Sequence, residues 1–472
     1  LLNLSGKHQS PRWQAHLIGG LPMEQRKDWK LEKRTKLITL ILFLLTGLIT
    51  ATTPNYPFPT NTPYAYGSIS PSLWPQEELE RQVQEYYLQW KERHLKTVLG
   101  THPEEKFVHW NIPFREWVVE GSITVSEAHG YGMIALAFMA GFDPDAQSDF
   151  DAMFRFFRSH PSQLTPELMS WIIMGTVDRD GNAIHVDSSH DSTNAIDGDL
   201  DIAYALLLAD NQWGSDGVID YRNEALSILH AILERSVSPE YHFIQLGDWV
   251  RRSPRYGGIT RSSDFMLTHV YAFMDVDSQN RERWKAIYER SLDICLDTYP
   301  TWTPNTGLMP DFLERQNDGS FHPVQGQILE SPYDGDYNFN ACRIPWRLGL
   351  SYLLLHEFRL FPMMNQMNQW IQHTTQGDPM RIHPGYYVGS GTEGTPIPRD
   401  WSQANMSFIA PFAVSAMVSI SGENQQWLDA LWKAVISDSW EDGIPFDGSE
   451  YYPNTIRLLV MIAVSGNWWL PR

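Results

Sequence analysis

From Gln76 to the end of this 472-residue chain, apolar residues recur at helical spacing and convincing alternating strands are scarce. The stretches 77–95, 131–140, 202–209, 224–233, 284–296, 347–358 and 427–436 all show it. Acids and hydroxyls mark helix starts, at Ser126-Glu127 and from Asp197 to Asp201, and Gly and Pro mark the breaks. The stretches return every 25–40 residues or so, with long loops between them and no strict repeat. Length alone would allow about three domains. With no linker after Ser72, the pattern predicts instead one all-α array of about a dozen helices, its long loops carrying function.

Composition narrows the function. At 42% hydrophobic residues the chain has material for a large core, which excludes global disorder. Its 36 Lys+Arg against 56 Asp+Glu, a net charge of −20, disfavour nucleic-acid binding. Only two cysteines, Cys295 and Cys342, exclude a disulfide scaffold or a Cys-rich zinc module, and both are expected to be free, buried thiols. The 19 Trp, 20 Tyr and 21 Phe fit either an aromatic core or a long groove in which flat rings stack on flat ligands such as sugars.

The N-terminal part has the order of a secretory signal. Lys30, Lys33, Arg34 and Lys36 precede an apolar run over 37–49, too short for a comfortable membrane span, and small residues follow it. The expected organisation is an upstream segment and signal over 1–51, with Met23 as the start and cleavage near Ala51, a Pro/Thr-rich linker over 52–73, and the helical body over 74–472. An uncleaved membrane anchor is the alternative. Loss of 1–51 leaves 28 basic and 53 acidic residues, a net −25 that keeps a secreted protein soluble and attracts a polycationic substrate.

Two helix starts concentrate chemistry. In Ser126-Glu127-Ala128-His129-Gly130-Tyr131-Gly132-Met133 an acid occupies the first turn of an apolar helix, and the glycines admit a close backbone or ligand. Such a Glu either complements the helix dipole or projects into whatever the loops enclose. In Asn194-Ala195-Ile196-Asp197-Gly198-Asp199-Leu200-Asp201 three acids alternate before a long apolar helix. One suffices as a cap, and burying the others costs desolvation unless they are used. A calcium loop does not fit, because no Gly at the sixth position and no Glu at the twelfth follow Asp197.

These motifs resemble glycoside hydrolase family 8. That family carries Ala-[Ser/Thr]-Asp-[Ala/Gly]-Asp, two residues, [Ile/Met]-Ala and a helix ending Ala, three residues, Trp. The chain reads Ala195 to Asp199, Ile202-Ala203, Ala209 and Trp213, departing at Ile196. The family's Ser-Glu-Gly-Gln-Gly-Tyr-Gly-Met departs at Ala128 and His129. Leu246-Gly247-Asp248-Trp249, Asp264-Phe265-Met266, Thr303 to Leu308, Asn340 to Arg347 and Ser465 to Trp469 also match, so the resemblance spans about Trp74 to Pro471. It implies an (α/α)6 barrel as a single catalytic domain, inversion at the anomeric carbon, Glu127 as general acid, and Asp197 as the residue that binds and distorts the sugar. No metal or cofactor is expected.

The general base depends on the stretch from Ile328 to Arg343. One branch of the family has an Asp just before Ala-x-Arg; here that position is Asn340, and Glu330 stands where another branch places its base, with Asp334 and Asp336 as alternatives. Of two such carboxyls one must hold a proton while the other activates water, and in an inverting enzyme they stand roughly 6.5–9.5 Å apart. Trp171, Trp249, Trp302, Tyr131, Tyr337 and Trp346 are candidates for groove lining, and Arg343 and Asn340 for contacts to sugar or base.

The expected activity is that of a secreted, monomeric endo-β-1,4-glycan hydrolase acting on a polysaccharide, without nucleic-acid or membrane partners. The branch and the charge favour chitosan, by steering. An endoglucanase or lichenase acting on neutral β-glucan is the alternative. A non-catalytic glycan-binding barrel, suggested by Ala128, His129 and Ile196, is more remote, and an (α/α)6 lyase or phosphorylase lacks its phosphate loop.

Overall fold

In the computed structural model two kinds of helix alternate along the chain. In order they are α1 (Gln76–His94), α2 (Ser126–Phe138), α3 (Ala146–Ser159), α4 (Ile196–Trp213), α5 (Tyr221–Arg235), α6 (Leu267–Val276), α7 (Arg281–Trp302), α8 (Ile344–Leu355), α9 (Phe361–Thr375), α10 (Met406–Ala416), α11 (Gln425–Ile436) and α12 (Tyr451–Val464). The structure describes residues 53–100, 102–110, 121–187, 192–399, 404–437 and 451–472, all within the unit Thr53–Arg472. The expected signal segment lies outside them.

Odd-numbered helices are amphipathic. On α1, Leu79, Val83, Tyr86, Tyr87, Trp90 and His94 form one buried face. Most even-numbered helices are buried nearly all round, as their sequences require: every residue of α10 is buried, and every residue of α2 except Glu127, while α6 exposes Tyr271 and Asp275. The even helices form the inner ring, α2 against α4, α4 against α6, and on through α8, α10 and α12, which packs back on α2. The odd helices lie outside them. This is an (α/α)6 barrel, with Phe138, Leu206, Trp346, Phe412 and Trp468 among the residues of one continuous core.

The two ends of the inner ring differ. The segment 53–73, read from sequence as a linker, is extended but bound: Asn55 N–H donates to Gln212 O, Phe58 N–H to Ala140 O, Ala65 N–H to Leu353 O and Ile69 N–H to Met417 O, at 2.7–3.0 Å. These carbonyls lie at or just beyond the C-terminal ends of inner helices, where four are left over per helix. A Pro-rich strand with no ladder of its own satisfies them, and so closes one end of the barrel as part of the body.

Among the described residues, eight short strands gather before the inner helices. β1 (Leu95–Thr97) pairs with β2 (Lys106–Val108); β3 (Ser122–Val125), β4 (Ile172–Val177) and β5 (Ala183–Asp187) form a second antiparallel sheet; β6 (Ile259–Arg261), β7 (Phe312–Arg315) and β8 (Phe321–Pro323) form a third. β3 runs directly into α2, and β6 ends three residues before Asp264. A small separate cluster of Leu246, Val250, Tyr256, Ile259, Phe312 and Val324, with Trp249 and Ile328 against it, underlies the third sheet and the loop after β8.

Candidate active site

Glu127 stands at the open end, in the first turn of α2. Its side chain keeps 15% exposure in a helix otherwise buried, so it alone faces the space among the loops. Tyr451, the first residue of α12, donates its hydroxyl to Oε1, and Arg343, just before α8, donates from Nη1 to Oε2. Burial pushes the carboxyl up, Arg343 opposes this and Asp197 adds to it, for a pKa of about 7. Such a carboxyl still holds its proton near neutrality, as a general acid must.

The three alternating acids of α4 have three destinations. A helix turns about 200° in two residues, so Asp199 leaves the face of Asp197, and Asp201 returns to it one turn deeper. Asp197 points into the site, where Arg261 Nη2 meets Oδ1 at 2.8 Å and Arg343 Nη1 meets Oδ2 at 3.2 Å. Burial would raise its pKa, but the two arginines outweigh burial and hold it at about 2. Asp199 accepts from Met169 N–H at 2.8 Å and Asn194 Nδ2 at 2.7 Å, fixing the loop ahead of β4. Asp201 lies inside the barrel against Arg347 and His269, both at 2.8 Å.

Glu127 and Asp197 meet because glycines let their helices touch. A Cβ on Gly130 would fall 2.6 Å from Asp201 Cβ, and one on Gly198 2.6 Å from Ser126 Cβ. The close partner that the glycine pattern anticipated is therefore another helix.

Glu330 sits on the loop after β8 with 41% of its side chain exposed. Asn340 Nδ2 donates to its Oε2 at 2.8 Å, and Arg261 Nη1 stands 3.9 Å from Oε1. Enclosure by the surrounding loops raises its pKa, against the pull of Arg261. Asn340 also donates to Asp311 Oδ2 at 3.3 Å, and its Oδ1 accepts from Arg343 Nη2 at 2.8 Å. Two carboxylates on the amide nitrogen and a guanidinium on its oxygen explain an amide here. An Asp would set three carboxylates in contact. Of the alternative bases, Asp334 is fully buried and occupied by backbone amides, and Asp336 accepts from Val388 N–H at 2.8 Å.

The aromatic candidates divide. Trp171, just before β4, is 38% exposed, and its carbonyl accepts from Ser126 N–H, so it lies beside Glu127. Trp249 and Trp302 are half-buried, Trp249 packed on Tyr256 and Trp302 near His322. Tyr131, Tyr337 and Trp346 are fully buried and have no face for a ligand. Tyr131 and Trp346 pack edge to face, with the Tyr131 hydroxyl on Arg343, and Tyr337 packs against Phe408 and Tyr386. They were expected to line the groove because they lie near motifs in sequence; the structure buries them in the body instead. Arg343 and Asn340 are likewise buried and taken up by protein partners, so they position the carboxylates. Arg343 holds Glu127 and Asp197 and is linked to Glu330 through Asn340.

Sequence reasoning missed Arg261, Tyr451, Ser263 and Asp311. Arg261 was within reach of inspection, three residues ahead of the Asp264-Phe265-Met266 match, and binds Asp264 from Nε at 3.1 Å. Ser263 accepts from Arg343 Nη2 at 2.9 Å. The departures at Ala128 and His129 face away from the acid. Ala128 is core, and His129 Nε2 bonds Met153 O at 2.8 Å, tying α2 to α3. Ile196 is buried in the core. Cys295 and Cys342 are free and buried. Among the described residues no group of three or more His, Cys, Asp or Glu is arranged to hold a metal ion.

Comparison with known proteins agrees with this geometry. A profile described as glycosyl hydrolases family 8 matches residues 118–352. A protein named beta-glucanase from Niallia circulans is 35% identical over 448 residues, covering 95% of this chain and all of the relative. An endoglucanase of Bacillus sp. strain KSM-330 is 32% identical over 421 residues, 88% of this chain and 82% of the relative. The solved apo structure of a β-1,3-1,4-glucanase from Paenibacillus sp. X4 superposes with a TM-score of 0.75 at 36% identity, covering 88% of this chain and all of that one. The chain belongs to glycoside hydrolase family 8 and is an inverting glycan hydrolase.

Proposed function

We propose that this hydrolase is a secreted endo-β-1,4-glucanase whose substrate is a neutral β-glucan, with mixed β-1,3-1,4-glucan foremost. Glu127 protonates the leaving oxygen, Glu330 takes a proton from the attacking water on the opposite face, and Asp197 binds the sugar at the cleavage point. With a pKa of about 2, Asp197 stays ionised at any working pH and faces the positive charge that develops on the ring.

The observation that carries the neutral substrate is the charge balance of the cleavage centre. Arg261 and Arg343 are both buried there and, while Glu127 holds its proton, are matched by Asp197 and Asp264, with the Glu330 carboxyl 3.9 Å from Arg261 beside them. An ammonium group on a sugar at this point would meet two guanidiniums and carboxylates already paired with them. The resemblance to proteins named for β-glucan points the same way. Chitosan is the second reading, favoured by the chain's net charge of −20.

Reducing-end release on lichenan, carboxymethyl-cellulose and soluble chitosan, at low and high salt with Glu127→Gln as blank, separates them. The proposal expects fastest release from lichenan, indifferent to salt. Fastest release from chitosan, suppressed by salt, establishes the second reading. No release by the folded protein points to another glycan such as xylan or to a binding role. Secretion is tested by N-terminal sequencing of the product recovered from medium; product held in the membrane indicates the anchor instead.

A further inference from the structure

The loop that carries Glu330 has an unusual support. Its second half is tied to β7 by backbone bonds: Phe312 N–H donates to Asp334 O and Asp311 N–H to Asp336 O, both at 2.8 Å. The first half, residues 328–331, makes no ladder. The side chains of Leu329 and Glu330 are exposed, so packing does not fix them. The amides of all four residues end instead on one carboxylate: Ile328, Leu329 and Glu330 N–H donate to Asp334 Oδ2 at 2.9, 2.7 and 3.1 Å, and Ser331 N–H to Oδ1 at 2.8 Å. Asp334 is fully buried.

We propose that Asp334 is a positioning residue for the general base: its carboxylate gathers the four amides of residues 328–331 and so holds Glu330 against Asn340. The proposal rests on Glu330 being the base. Four donors aimed at two oxygens leave Asp334 no room to take a proton from water. A buried carboxylate satisfied in this way is a rigid anchor for irregular backbone. Asn is not a substitute. Either its NH2 faces three amide donors, or it faces that of Ser331, and one side of the cradle opens. Asp334 also adds negative charge near Glu330 and helps keep the base's pKa raised.

The test is the pH profile of kcat and KM for Asp334→Asn, beside Glu330→Ala with and without azide. Loss of positioning predicts kcat lower by about 10- to 100-fold, KM within about twofold, and an acid limb moved to lower pH, since a like charge has gone. Azide should rescue Glu330→Ala and leave Asp334→Asn unchanged. Near-normal kcat in Asp334→Asn, or a loss with an unmoved limb, overturns the proposal. If Glu330→Ala itself stays active, the base reading fails and takes the proposal with it. Should Asp334→Asn not fold, hydrogen exchange in the unaltered protein decides: the amides of 328–331 should be protected despite their exposed side chains, and free exchange overturns the proposal.

Discussion

Asn340 donates from Nδ2 to Glu330 Oε2 at 2.8 Å, while its Oδ1 accepts from the guanidinium of Arg343 that also binds Glu127. One amide thus links Glu330 to Glu127, the carboxyls proposed as base and acid, through a single arginine. Asn340→Asp would set a third carboxylate beside Glu330 and Asp311. A like charge in contact raises a carboxyl's pKa, so Glu330, the proposed base, would be protonated at higher pH. The acid limb of kcat/KM should move up by about one unit. An unmoved limb would mean that this contact does not set the base.

The raised pKa of Glu127, about 7, has consequences for rate and stability. As the proposed acid, Glu127 must be protonated to act, so kcat/KM should fall as pH rises through about 7. Glu127→Gln should lower kcat by about 10²- to 10⁴-fold. The folded state binds this proton more tightly than the unfolded chain, so ionisation costs stability. The cost is absent below the ordinary value of 4.5, grows through about 7 and is complete above it, amounting to about 3 kcal/mol. Glu127→Gln should therefore melt at or above the parent temperature at pH 8.5, and equal at pH 4. A variant less stable at pH 8.5 would contradict the burial argument.

Arg343 bridges Glu127, Asp197, Asn340 and Ser263. Arg343→Met leaves Asp197 with only Arg261 and strands buried charge, a loss of about 3–5 kcal/mol by denaturant unfolding. Arg343→Lys reaches fewer partners from one nitrogen and should recover part of the stability and little of the activity. Full activity in the lysine variant would show that charge alone, without the fork of donors, suffices.

How much of this was readable beforehand follows from where each signal resides. Apolar runs and helix-start acids are local, so the barrel's helices, Glu127 and Asp197 stood out in the chain, whereas Glu330, a loop acid beside Asp334 and Asp336, was singled out only through the family resemblance. Burial in the inner ring is not local. Tyr131, Tyr337 and Trp346 read like groove aromatics because a ring beneath a site and a ring within it share the same neighbours in sequence. Arg261 and Tyr451 act on α4 and α2 from other turns of the barrel, and no spacing rule connects them. The strap over 53–73 has linker composition, yet its backbone pairs with inner-helix carbonyls while Phe58 and Ala65 enter the core and Tyr56 stacks on Trp469, contacts that lie far away in sequence.

Gly198 tests whether the α2–α4 contact sets the site. Its added Cβ would press on Ser126, the residue before Glu127, and the backbone there cannot yield without moving both helices. Gly198→Ala should cost about 1–3 kcal/mol or more by overpacking, offset slightly by the better helix propensity of Ala. Because Asp197 and Glu127 ride on the two surfaces being parted, kcat should fall further than stability implies. Loss of stability with unchanged kcat at a temperature where the variant is folded would show the site tolerates the shift.

Trp171 is an exposed ring beside Glu127, held by the Trp171 O to Ser126 N–H bond at 3.0 Å and by its own N–H on Thr193 O at 2.9 Å. Both bonds are backbone, so Trp171→Ala removes the ring and leaves the strand in place. If the ring stacks on a sugar before and during the reaction alike, its loss raises KM and leaves kcat nearly constant, about tenfold in kcat/KM for a ring-stacking contribution near 1.4 kcal/mol. A polymer spans the ring and a disaccharide at the cleavage point does not, so the effect should shrink on the shortest cleavable oligosaccharide. Equal losses on long and short substrates would place Trp171 at the cleavage point itself, and no loss on either would make it a surface ring without a role in binding.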